Sequence, residues 1–330
     1  MKRNYYLSKS GILKKNDNSL IFKIKGQENR YIPINDVDSI YVFGELDLNT
    51  KLINFLSKNQ ISIHFFNYYG FYTGSFYPKE QHNSGYLFVE QVKHYVDSEK
   101  RLKIAKAILI SSASNIYRNI RYYNERGKDL QEYMENISKF QSKLSSTNSI
   151  EELMGVEGNI RKKYYQAFNI IINQDIDFQK RVKNPPDNMI NSLISFCNML
   201  VYTTVLSEIY HTQLSPLVSY LHQPGERRFS LSLDIAELFK PLLADRLIFS
   251  LLNKNMISKN DFTKELNFMH INDKARTIII KEYDDRLRKT IKHRTLKKDV
   301  SYRKLIRLEL YKLVKHISNE KEYEGFKIWW

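Results

Sequence analysis

A chain of 330 residues is long enough for two domains and a sizeable core. Its 42% hydrophobic content excludes a disordered chain. The 52 basic residues against 36 acidic ones give a net charge of +16, which points to a polyanionic partner, most simply DNA or RNA.

The N-terminus, Met1-Lys2-Arg3-Asn4-Tyr5-Tyr6, leads into no apolar signal core. The first eighty residues read as β-rich. Ser19–Ile24, Arg30–Ile34, Val37–Phe43, Ile61–Asn67 and Gly70–Tyr77 are short stretches of β-branched and aromatic residues, separated by Gly, Asn, Asp and Pro. Asn49–Asn59 breaks the pattern with Leu52, Ile53, Leu56 and Ser57 at helical spacing, so a short helix is predicted between strands. Pro78–Gly85 is polar and turn-rich and predicts a linker. Helical periods then recur over Val89–Asn124, Leu130–Leu144, Ile160–Ile172, Met189–Tyr210, Ile235–Leu252 and Val300–Ile317. Asn184-Pro185-Pro186-Asp187 reads as a rigid turn starting the Met189 helix, and Pro241 should kink or break the helix around it. The expected fold is α+β with two domains. A small β-sandwich-like domain spans 1–80, a linker 81–88, and a larger all-α catalytic domain 89–330.

Cys197 is the single cysteine, so one chain builds neither a disulfide framework nor a cysteine zinc site. It lies inside an apolar helical pattern and reads as a core residue. No uninterrupted apolar run is long enough to span a bilayer, so no membrane partner is expected and a reducing cytoplasm is the expected home. A Walker loop, a His-Glu-x-x-His motif, a Gly-x-Ser-x-Gly elbow and a Rossmann fingerprint are all missing from the sequence.

Two segments carry chemistry. In Gly155-Val156-Glu157-Gly158, an acid is flanked by small residues that let a phosphate approach, and Arg161, Lys162 and Lys163 follow. In the second, His222 is followed by Arg227 and Arg228 and then by Asp234 and Glu237, three apart and so on one helical face. Carboxylates and an imidazole can bind a divalent ion, while Arg and Lys hold phosphate oxygens. The same acids would also suit helix N-termini with no further role. Arg286–Lys315 is a further basic stretch, readable as a solvated helical face or as a surface that tracks a DNA backbone.

The combination resembles the CRISPR adaptation integrase family, the proteins that insert new spacers into CRISPR arrays. The resemblance covers nearly the whole chain. It rests on the β-rich start, the helix from Gln91 to Asn119, Gly155-x-Glu157-Gly158 with Tyr164 seven residues on, and Pro185-Pro186-Asp187 with Asn191. It rests further on Leu221-His222, on Ser230-Leu231-x-Leu233-Asp234-Ile235-x-Glu237-x-Phe239-Lys240-Pro241, and on Asp245-Arg246. Gln213 and Ser219 stand where the family has glycines, and Phe229 where it has a proline.

The resemblance implies a catalytic Mg²⁺ or Mn²⁺ held by Glu157, His222 and Glu237, with Asp234 a supporting acid. It implies attack of a DNA 3′-hydroxyl on a phosphodiester of the repeat, with Arg161, Lys162, Tyr164, Arg227 and Arg228 as DNA contacts. Its implied partners are DNA (the spacer precursor and the CRISPR repeat), a second copy joined across the β-rich domain, and a small ferredoxin-like adaptation protein. Two alternatives stay open on the residues alone: a metal-dependent nuclease acting on branched DNA in repair, and a non-catalytic DNA-binding scaffold whose acids cap helices.

Overall fold

Alternation of apolar and polar residues near the N-terminus produces strands that share one buried side. The computed structural model describes residues 2–79, 82–176, 178–183, 185–225, 229–265 and 268–330. The chain divides into two compact units, Met1–Gln81 and His82–Trp330.

The first unit holds strands β1 (Arg3–Leu7), β2 (Gly11–Asn16), β3 (Ser19–Lys23), β4 (Arg30–Pro33), β5 (Val37–Val42) and β6 (Leu46–Asp47), then helix α1 (Thr50–Lys58), β7 (Ser62–Phe66) and β8 (Tyr72–Phe76). One sheet has the order β1-β5-β7-β8 and the other β4-β3-β2-β6. β5 and β7 are parallel, so they need a crossover, and α1 supplies it. Asn49 starts α1 by accepting a hydrogen bond from Leu52 N. Leu7, Ile40, Val42 and Ile63 of the first sheet meet Leu13, Leu20, Phe22 and Ile32 of the second in one core, closed by Leu52 and Leu56 of α1. β1 and β2 are additions to the predicted strands. Their lysines and asparagines, at Lys14, Lys15 and Asn16, blur the period-two signal.

The second unit contains α2 (Gly85–Val96), α3 (Ser98–Asn124), α4 (Gln131–Leu144), α5 (Ile150–Ile171), α6 (Met189–Tyr210), α7 (Ser230–Lys240), α8 (Arg246–Asn253), α9 (Asp273–Arg288) and α10 (Tyr302–Ile317). It also contains two hairpins, β9 (Phe262–Glu265) with β10 (Phe268–Ile271) and β11 (Thr290–Lys292) with β12 (Asp299–Ser301), so it is not all-α. α2 begins at Gly85, inside the stretch expected to be a linker. The single helix expected over Val89–Asn124 is two. Asp97 takes extended backbone angles, and its carboxylate accepts from Glu99 N and Lys100 N to start α3 afresh. Asn184 lies outside the described residues; beyond it, Asn188 caps α6 by accepting from Asn191 N. α6 has the length and apolarity of a membrane-crossing segment, with mean hydropathy 1.5. Some 78% of that window is buried inside the protein, and it serves as a core helix. Cys197 lies buried within it.

As expected, the α-helical pattern breaks at Pro241, but the chain stays helical. Pro241–Asp245 forms a π-helical segment joining α7 to α8. Proline has no N–H, so Glu237 O loses the donor four residues on. Ser112 of α3 replaces it, donating to Glu237 O at 2.9 Å. On the same face of α3, Asn115 donates to Leu238 O at 2.9 Å and Asn119 to Pro241 O at 2.8 Å. A widened helix is thus held by side chains of its neighbour. Ser112→Ala is expected to cost about 1–3 kcal/mol in urea denaturation, because it strands a buried carbonyl. The loss should shrink in a Pro241→Ala background, where the main-chain donor returns.

Candidate active site

α5 brings Glu157 to the site. Ser149 caps this helix by accepting from Glu152 N at 3.1 Å. The helix therefore starts ten residues before Ile160, where the sequence pattern placed it; Gly155 and Gly158 had diluted the periodicity. Glu157 consequently sits two turns in. The first turn holds Glu151 and Glu152, so the helix dipole does not account for Glu157. Glu237 is likewise far from the start of α7, which has no acid in its first turn. An added Cβ at Gly155 or Gly158 would meet nothing within 4 Å, so this face of α5 is open. Glycine inside a helix costs about 1 kcal/mol relative to alanine.

His222 lies in the loop between α6 and α7, and Asp234 fixes that loop. Asp234 is fully buried. One carboxylate oxygen accepts from Tyr220 N at 2.6 Å and Leu221 N at 2.9 Å. The other pairs with His222 N at 2.9 Å and His222 Nδ1 at 2.8 Å. Gln91 of α2 staples the loop from behind, donating to Ser215 O and Val218 O and accepting from Ser215 N, each at 2.9 Å. Arg101 donates to Tyr220 O at 2.9 Å. Ser219 donates to His222 O at 2.6 Å and so braces the turn. With Nδ1 engaged, Nε2 is the imidazole nitrogen left for other work.

The two glutamates are joined through a guanidinium. Arg161, one turn after Glu157 on α5, donates to Glu157 Oε1 at 3.0 Å and also pairs with Glu237 Oε2. Lys240, one turn after Glu237, pairs with its other oxygen. Burial works against the Glu237 charge, but Arg161, then Lys240 and His222, hold its carboxyl well below the usual range. Burial also works against a charged His222. The hydrogen bond and charge of Asp234, with Glu237 adding, outweigh it and raise the imidazole above its ordinary value. Burial pushes nearby Asp245 up to about 6, against the pull of Arg161 and Tyr164. Asp245 Oδ2 is buried without a hydrogen-bond partner.

α5 and α7 place Glu157 and Glu237 on either side of the Arg161 guanidinium, and His222 from the loop lies near enough to act on the charge of Glu237. Two carboxylates and one imidazole suit Mg²⁺ or Mn²⁺ in kind. In this conformation Arg161 and Lys240 supply the positive charge, and among the described residues no three His, Cys, Asp or Glu side chains stand in a metal-holding group. The expected DNA contacts fare differently. Lys162 is exposed on α5. Arg161 is turned into the ion pairs. Tyr164 is fully buried and accepts from Asn119 Nδ2 at 3.0 Å, so it buttresses the core and does not face DNA. Arg227 and Arg228 lie outside the described residues. Gln91, Ser112, Asn119 and Asp245 escaped the sequence reading as functional positions. The spacings of Glu157 with Arg161 and of Glu237 with Lys240 are the local signals that point to pairings.

The family model described as CRISPR associated protein Cas1 matches residues 5–285. A CRISPR-associated endonuclease Cas1 from Fusobacterium nucleatum subsp. nucleatum is 56% identical over 330 residues, covering 100% of this chain and 98% of the relative. The solved structure of a CAS1 protein from Thermotoga maritima is 40% identical with a TM-score of 0.85, covering 98% of this chain and 100% of that one. Two more distant solved structures share the fold. One is a casposase bound to integration product (21% identity, TM-score 0.84, 98% of this chain and 92% of that one). The other is a chain of a Cas6-RT-Cas1–Cas2 complex (20% identity, TM-score 0.83, 99% of this chain and 36% of that one).

Because Asp234 raises the His222 pKa, the imidazolium should persist above the ordinary value of about 6.5. Its stabilising effect is present below that value and is lost as pH rises through the folded-state pKa. An NMR titration of the ring should show the raised pKa in the wild type and a lower one in Asp234→Asn. Thermal melts should lose the alkaline decline attributable to this group in the same variant.

Proposed function

The chain belongs to the Cas1 family of CRISPR-associated proteins, and we propose that it is a divalent-metal-dependent DNA endonuclease and strand-transfer integrase. In this reading a 3′-hydroxyl of the spacer precursor attacks a phosphodiester of the CRISPR repeat. The observation that carries it is the Glu157–Arg161–Glu237 ion chain beside an imidazole oriented by Asp234. Acids serving only as helix caps would sit in first turns, and Glu157 and Glu237 do not. The relative from Fusobacterium nucleatum, an endonuclease by name, supports a nucleolytic site.

Glu157, Glu237 and His222 through Nε2 would hold Mg²⁺ or Mn²⁺, which when bound acts as a Lewis acid on the scissile phosphate. The chain's own residues prepare that arrangement. Asp234 fixes the imidazole tautomer and its direction. Ser112 anchors the main chain of Glu237 where proline leaves it without a donor. Arg161 and Lys240 balance the carboxylates and lie beside the place where phosphate oxygens would come. The open face of α5 at Gly155 and Gly158 leaves room for a DNA backbone beside Glu157.

The proposed setting is the cytoplasm. The proposed assembly is a homodimer working with a small ferredoxin-like adaptation protein; the solved complex that names Cas1 together with Cas2 supports a protein partner.

His222→Ala is expected to lower joining of a 3′-hydroxyl duplex to repeat DNA by about a thousandfold or more, with DNA binding retained. Joining that survives in that variant, or in EDTA, would remove the metal role. Cleavage and joining read on one labelled substrate separate hydrolysis from strand transfer.

A further inference from the structure

Three arginines of the second unit sit together with no Asp or Glu side chain paired to them among the described residues. Arg118 of α3 bears on the charge of Arg246 of α8, and Arg246 bears on Arg286 of α9. Among the described residues none of the three forms an ion pair with Asp or Glu. Glu282, one turn earlier on α9, acts on Arg286 less than Arg246 does. Their hydrogen bonds go elsewhere. Arg118 Nε donates to the main-chain oxygen of Trp330 at 3.3 Å, and Arg246 Nε to Asn119 Oδ1 at 2.6 Å. Arg286 donates to Arg246 O at 3.2 Å and more weakly to Leu242 O at 3.5 Å. Its Nε is buried with no acceptor. Tyr123 and Tyr302 lie close enough to act on both Arg246 and Arg286.

Arg246 and Arg286, partly desolvated and bonded only to neutral acceptors, raise the free energy of the fold. All three residues remain partly exposed. The planar donor fork of arginine matches phosphate oxygens. Asn119 then links the cluster to the catalytic helix. Its Oδ1 accepts from Arg246, while its Nδ2 donates to Pro241 O and to Tyr164 OH. We propose that Arg118, Arg246 and Arg286 form a binding site for a phosphate of the DNA backbone, set beside the helix that carries Glu237. The site anchors the duplex away from the reacting bond. It rests on the reading of the protein as a DNA-joining enzyme and adds a second point of grip.

The test is DNA binding by the full-length protein in EDTA, so that the divalent metal plays no part, measured over a salt series. In the Arg118→Gln/Arg286→Gln variant the slope of log K against log salt should flatten by about one to two. Affinity at low salt should fall by about tenfold, with a melting temperature at or above that of the wild type. An unchanged slope and affinity would overturn the site, and so would early melting with the slope intact. If the double variant melts early and binds weakly, Arg118→Gln alone decides: a flatter slope at wild-type melting temperature supports the site, and an unchanged slope overturns it. Melting raised by inorganic pyrophosphate, with the variant's DNA slope unchanged, would assign the cluster to free phosphate and overturn the DNA assignment. Failure here leaves joining by the wild type and its loss in His222→Ala untouched, so the two readings fail separately.

Discussion

One buried carboxylate organises the candidate site of this protein. Asp234 accepts from three consecutive main-chain N–H groups and pairs with the Nδ1 of His222. A carboxylate with no solvent around it needs such donors to remain tolerable. Because those donors come from residues 220–222, satisfying Asp234 also fixes where the loop runs and how the imidazole points. Gln91 and Ser219 complete the loop from the other side. The position of His222 therefore follows from the requirements of its neighbour.

The same economy appears around Glu237. A glutamate with two cations beside it, Arg161 and Lys240, is stable as an anion inside the protein. A divalent ion entering the site would take over part of that task, and the displaced guanidinium and ammonium would be left facing an incoming phosphate. If a divalent ion binds there as proposed, positive charge would be held in place both before and after it. The helix face beside Gly155 and Gly158 is open.

Much of this was legible in the sequence because it depends on local spacing and residue type. Glu157, His222, Asp234 and Glu237 could be singled out, as could most helices and the β-rich start. What the sequence concealed depends on long-range satisfaction. Ser112 and Asn119 look like ordinary polar residues on a helix until the partner lacking a donor, around Pro241, is seen more than a hundred residues away. Tyr164 carries a family position yet points into the core, because its hydroxyl completes Asn119. α9 went unrecognised because Ile278-Ile279-Ile280 mimics a strand. The apolar pattern starts α5 only at Ile160, because Gly155 and Gly158 weaken the helical signal ahead of it.

The π-helical turn at Pro241–Asp245 has one more effect. A regular helix advances about 100° per residue, so a wider turn shifts the angular phase of everything after it. Glu237, before the turn, faces Arg161, while Arg246, after it, faces Asn119 and Arg286. One continuous rod thereby serves two sides of the domain. Substitutions within those five residues alter its grip on α3, but a change in their number would turn the downstream half about its axis and set its arginine against the wrong neighbours.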